Sequence, residues 1–154
     1  MLQRLLPQRI DNTFRGHRLA LWLFGVLVLM KGGIGLGTIF NGRSAATTAD
    51  GIPLDTFSPA GEQAFVSILA AWGLSQLMLN LIGLLVVIRY RAMVPFMFAL
   101  LLLEHLSRRL IFLVLPIAST GTSPGFFVNL VIVAVMIVGL ALSLRNQDDL
   151  QPRK

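Results

Sequence analysis

The chain has 154 residues, 55% of them hydrophobic and 13% charged, with a mean hydropathy of +0.77; this departs from the soluble-domain norm toward long apolar runs, the mark of a membrane protein. It holds no cysteine, which excludes disulfides, thiolate nucleophiles, thiolate metal sites and thiol redox relays. The net charge of +6 would point to nucleic acid in a soluble protein, but these cations flank apolar segments, where they orient a membrane chain and meet anionic lipid, so no nucleic-acid partner is expected.

In chain order, Leu2, Leu5, Leu6 and Ile10 interleave with Arg4 and Arg9, a pattern suited to a short helix lying on the cytoplasmic leaflet. The first apolar run covers 19–40. Its basic approach and the following Ser44-Ala45-Ala46-Thr47-Thr48-Ala49 imitate a secretory signal. The run is longer than a cleavable apolar region of roughly 7–15 residues and contains Lys31, so a retained signal-anchor is expected. Within it, Gly33 and Gly37 form a small-xxx-small pair that would let a second helix approach.

A long loop, 41–63, carries Arg43 against Asp50, Asp55 and Glu62. Its Asp50-Gly51-Ile52-Pro53-Leu54-Asp55 stretch, a turn followed by an apolar pair, is expected to fold back over the outer mouth of the molecule. Ser58-Pro59 then offers a capping hydroxyl before a proline at the first helical position, with Glu62 near the positive end of the helix dipole. The second apolar run, 64–88, places Trp72, Gln76, Asn80 and Gly83 along one helical stripe, with Ser75 beside it.

Arg89 and Arg91 separate this run from the third, 92–115, whose middle reads Glu104-His105-Leu106-Ser107-Arg108-Arg109. Ionisable groups at such depth mark a functional site by default. At i,i+4 spacing Glu104 pairs with Arg108 and His105 with Arg109. Pro116 closes the helix, and Ser123-Pro124 opens the fourth run, 126–144, which Arg145, Arg153 and Lys154 follow. Phe96, Phe98, Phe112, Phe126 and Phe127 read as lipid-facing or core bulk.

Four runs near the length that crosses a hydrocarbon core of ~30 Å predict an all-α, polytopic transmembrane four-helix bundle, a single integral membrane domain over 1–154. The excess of Arg and Lys beside the termini and between the second and third runs predicts both termini inside. In size and topology, though by no specific motif, this format resembles short four-span proteins of the bacterial inner membrane, which is the expected location.

Lys31 is twelve residues from Leu19, Gln76 twelve from Ile88 and Glu104 twelve from Ala92, so at ~1.5 Å per residue all three fall at roughly 18 Å depth. Arg108, Arg109 and Asn129 lie nearer the outer face, Asn80 nearer the inner. Lys31, Arg108 and Arg109 oppose one carboxylate, Glu104. This surplus of two positive charges needs an anion: a lipid phosphate, an anionic solute, the loop acids Asp50 and Asp55 turned inward, or an acidic residue of a partner. The plainer readings are that Arg109 snorkels to the headgroups, that Arg108 merely neutralises Glu104, and that Gln76 and Asn80 are helix–helix contacts.

These residues lead to a non-enzymatic accessory or oligomeric subunit that binds anionic lipid or a partner through Lys31, Arg108 and Arg109, with Glu104 and His105 as charge-pairing or proton-coupling groups. Two alternatives share the residues. One is a small proton-coupled transporter or channel subunit for an anionic solute. The other is an intramembrane lipid-modifying enzyme with His105 as base, Glu104 as its orienting acid and the arginines on a phosphate. The sequence lacks HExxH, GxSxG, a P-loop and a Gly-rich dinucleotide turn. His17 and His105 are its only histidines, and no metal or cofactor is expected.

Overall fold

The computed structural model describes residues 5, 7, 11–117 and 124–145, which are all helical or irregular, with no strand. Four long helices dominate: α1, Arg18–Phe40; α2, Pro59–Arg89; α3, Val94–Val114; and α4, Pro124–Leu144. Three of them, α1, α2 and α4, are long and apolar enough to cross a membrane. The third has the length but carries Glu104, Arg108 and Arg109. Ser123, Arg153, Lys154 and the N-terminal stretch, of which only Leu5 and Pro7 are included, lie outside the described residues.

Local chemistry sets the ends. His17 Nδ1 accepts the Leu19 N–H at 3.2 Å and caps α1. Ser58 Oγ accepts the Gly61 N–H at 3.1 Å with Pro59 at the first helical position, so α2 starts before its apolar run. A tight 3₁₀ turn, Arg91–Met93, joins α2 to α3, where Pro95 sits in the first turn and has no N–H to lose.

The helix pair α1–α2 packs most extensively, followed by α1–α4 and α3–α4; α2 and α3, though consecutive, touch only sparsely, as do α1 and α3. The central contact is Phe24 of α1 against Phe98 of α3, edge to face with ring centroids 4.9 Å apart, among the fully buried Leu27, Met97, Leu101 and Met136. Phe98 also lies directly on Gly139 of α4, where a methyl group would fall into the ring.

At the α1–α2 seam the backbones themselves meet. A methyl on Gly73 would stand 3.0 Å from the Gly35 carbonyl oxygen, and one on Gly35 3.2 Å from that of Gly73. This corrects the expectation for Gly33 and Gly37, around which the structure leaves open space. Two residues along a helix is a rotation of about 200°, so Gly35 faces the partner when Gly33 and Gly37 face away.

The loop between α1 and α2 is itself structured. A turn at Gly42–Ser44 leads into a π-helical segment, Ala45–Ala49, then Gly51 turns the chain at φ 68° and a 3₁₀ turn follows at Leu54–Thr56. Ala46, Ile52 and Leu54 are buried against Phe65, Val66 and Leu69 of α2, so the loop folds back on the first turns of that helix. Arg43 pins it, with Nε 2.7 Å from Glu62 Oε1 and Nη2 3.4 Å from Asp55 Oδ1. Asp55 therefore pairs within the loop instead of turning inward. In contrast, α3 runs free of cover beyond His105: every residue over 106–117 is exposed except the half-buried Arg108.

Candidate functional site

Three helices meet on one carboxylate. Glu104 projects from α3; its Oε2 accepts from Lys31 Nζ of α1 at 3.3 Å, and its Oε1 accepts from Gln76 Nε2 of α2 at 2.7 Å. Lys31 and Gln76 are buried, at 5% and 6% exposure. Of the three residues that counting along the sequence put in one layer, Lys31 and Gln76 thus both bond to the third, Glu104. Each has a reason to be there: an ammonium and a primary amide in an apolar interior need acceptors, and a carboxylate needs donors.

Arg108 completes the cluster from one turn further along α3. Its Nη1 is 3.8 Å from Glu104 Oε1, its Nη2 lies 3.0 Å from His105 Nδ1, and the guanidinium rests 4.7 Å from the centroid of the Trp72 ring. The expected Glu104–Arg108 pair is therefore present but longer than the lysine contact. The expected His105–Arg109 pair is not formed, because Arg108 occupies the imidazole and Arg109 turns to Phe126, 5.3 Å from its ring centroid.

A guanidinium can only donate, so His105 Nδ1 is the acceptor and the neutral ring carries its proton on Nε2. Glu104 contacts Lys31, Gln76 and Arg108 and does not orient His105. The Glu-His arrangement is accordingly not that of a base with its orienting acid; it is a charge cluster in which His105, 2% exposed, relays the position of Arg108.

Asp50 supplies a second negative charge. It ends the π-helical segment, with Oδ1 only 3.1 Å from where a methyl on Gly125 would lie, and its field acts on Arg108. Loss of hydration pushes its carboxyl above the ordinary aspartate value, while the Arg108 charge pulls the other way. Three cations against two carboxylates leaves one charge unanswered. That charge is Arg109, exposed on α3 with an aromatic ring and no carboxylate in ion-pair range among the described residues.

Asn80 sits one turn below Gln76 and donates Nδ2 to its carbonyl at 2.6 Å. It is 3% exposed and bonds within α2, not across helices as expected. The roles of Trp72 and Phe126 as platforms for Arg108 and Arg109 were not read from the sequence; the signal for Trp72 was its place on the Gln76 stripe. Comparison with protein-family models, with curated proteins and with solved structures returned no match.

Proposed function

We propose that the protein is a small, non-enzymatic integral membrane protein, an accessory or oligomeric subunit, that holds an anionic lipid through Arg109. The observation that carries this reading is the charge balance of the cluster: Lys31 and Arg108 are answered from within by Glu104 and Asp50, and the exposed Arg109 is not. In this reading α3 crosses the bilayer with the other three helices, its buried charges turned inward. Arg109 lies five residues from Val114, about 7.5 Å from the helix end, within reach of the headgroup phosphates. With both termini inside, as the flanking arginines favour, this is the outer leaflet of a bacterial inner membrane.

Native mass spectrometry of gently extracted protein tests the proposal. Wild-type protein is expected to carry an anionic phospholipid, and Arg109→Leu to reduce that population about fivefold, in line with ~1 kcal/mol per surface cation. Wild-type protein free of lipid, or a bound partner subunit that Arg109→Leu releases in its place, rules the lipid out.

A second reading, a subunit of a proton-coupled anion transporter, is favoured by the sparse packing of α2 against α3, where Gln76 reaches across to Glu104. In proteoliposomes, Glu104→Gln would then abolish pH-dependent anion flux, whereas flux that keeps its pH dependence removes this role.

A further inference from the structure

At the C-terminal end of α1 a cleft of about 670 Å³ opens between the helix and the loop that follows it. That volume lies within the ~300–1,000 Å³ of small-molecule sites. Phe40, Asn41, Arg43, Ser44, Thr47 and Asp55 line it. The 23 residues of α1 span about 34 Å, slightly more than a hydrocarbon core of ~30 Å. Phe40, its last residue and 78% exposed, therefore stands where acyl chains give way to headgroups, and the cleft opens at that level.

The charges of the cleft are held unequally. Arg43 Nε is 2.7 Å from Glu62 Oε1, on a side chain of 26% exposure, whereas Arg43 Nη2 reaches Asp55 Oδ1 only at 3.4 Å and Asp55 is 88% exposed. The guanidinium side chain is itself 63% exposed. A ligand can thus enter between Arg43 and Asp55 and leave the Glu62 pair intact. The neighbouring hydroxyls are already spent as donors. Thr47 Oγ1 donates to the Arg43 carbonyl at 3.0 Å. Thr48 Oγ1 donates to the Ser44 carbonyl, which makes Ser44 Oγ the donor in its 3.4 Å contact with Thr48 Oγ1. A hydroxyl has one proton, so Ser44 and Thr47 have only lone pairs left to offer, beside the negative end of the α1 dipole.

A bare anion would meet two carboxylates and these lone pairs, and a bare cation would meet the guanidinium. A phosphate and an ammonium on one short tether suit both, the phosphate on Arg43 and the ammonium on Asp55 and the hydroxyl oxygens. We propose that the cleft binds the headgroup of a zwitterionic phospholipid that carries a primary amine, its acyl chains leaving past Phe40. A primary ammonium has N–H groups to donate and a quaternary one has none, so the same acceptors distinguish the two. The site does not rest on the anionic lipid assigned to Arg109: it is built on other residues and has the opposite charge balance, one guanidinium against two carboxylates.

The test places the full chain in nanodiscs of phosphatidylethanolamine, phosphatidylcholine and phosphatidylglycerol in equal parts and reads the retained lipid by native mass spectrometry. Every protein carries Arg109→Leu, which silences the other lipid site. Retained ethanolamine lipid is expected to exceed each of the other two about fivefold, the ratio carried by one exposed charge pair. Asp55→Asn should erase that excess and raise the glycerol lipid, because Arg43 then meets a phosphate with one carboxylate fewer beside it. Arg43→Gln should lower all three. Since Arg43 also fastens the loop, the exposed Asp55→Asn decides alone if Arg43→Gln folds poorly. Equal retention of the three lipids, or an excess that survives Asp55→Asn, overturns the proposal. Free phosphoethanolamine at millimolar concentration should leave the bound lipid in place; if it displaces the lipid and stays bound itself, the ligand is a soluble phosphoamine and the lipid assignment is wrong.

Discussion

Glu104→Ala is expected to destabilise the protein by about 3 kcal/mol, because it strands a buried ammonium. Removing one member of a buried ion pair costs ~3–5 kcal/mol, and the low end applies here since Glu104 keeps 23% of its side-chain exposure while Lys31 keeps 5%. The loss extends beyond the lysine: Gln76 Nε2 and Arg108 Nη1 lose the same acceptor. Unfolding in mixed micelles by increasing SDS fraction would measure the effect, with Trp72, which carries the Arg108 guanidinium, as a local fluorescent reporter. The double variant Lys31→Met/Glu104→Leu should recover the part of the loss due to the stranded ammonium but not the part due to Gln76 Nε2 and Arg108 Nη1, which still lack their acceptor. If Glu104→Ala is within 0.5 kcal/mol of wild type, taking ordinary surface substitutions as the yardstick, the carboxylate does not hold the three helices together.

Gly139→Ala should be nearly as damaging, at about 2–3 kcal/mol, the upper range for overpacking a core. The added methyl would fall within the Phe98 ring. That ring is fully buried and held edge-on against Phe24, so it cannot swing aside without breaking the contact between α1 and α3. Phe98→Leu introduced together with Gly139→Ala should return part of the loss by vacating the ring's volume. A Gly139→Ala protein with wild-type resistance to SDS would show that α3 and α4 are not packed in this way.

The meeting of Lys31, Gln76 and Glu104 was legible in the sequence by counting: they sit equally far from the ends of their runs, and all three must find partners in an apolar interior. Azimuth was less legible. Arg108 and Arg109 are adjacent and both lie at i,i+3 to i,i+5 from the acid and the imidazole, so spacing alone assigned them by the i,i+4 rule. Packing decided otherwise, since Trp72 and Phe126 each offer a ring to one guanidinium. The same limit applies to Gly33, Gly35 and Gly37: the sequence shows small residues on two opposite faces of α1, and only the partner glycine at position 73 selects between them. Hydropathy over 64–88 marks only the apolar part of α2, whereas the capping chemistry at Ser58-Pro59 marks the helix start that the structure has. The exposed second half of α3 had no signal at all, because residues that face lipid and residues that face a core are equally apolar.

The length of α2 has a consequence for the membrane itself. Its 31 residues span about 46 Å, whereas the 21 residues of α4 span about 31 Å, close to the ~30 Å hydrocarbon thickness. Both helices are fastened to α1, so one bilayer must accommodate two unequal rods. Overhang at the Glu62 end, where Arg43 waits, takes up part of the difference, and tilt of α2 takes up the rest. A thinner bilayer steepens that tilt and levers α2 against α1 at the Gly35–Gly73 crossing, where the two backbones leave no room for a methyl group.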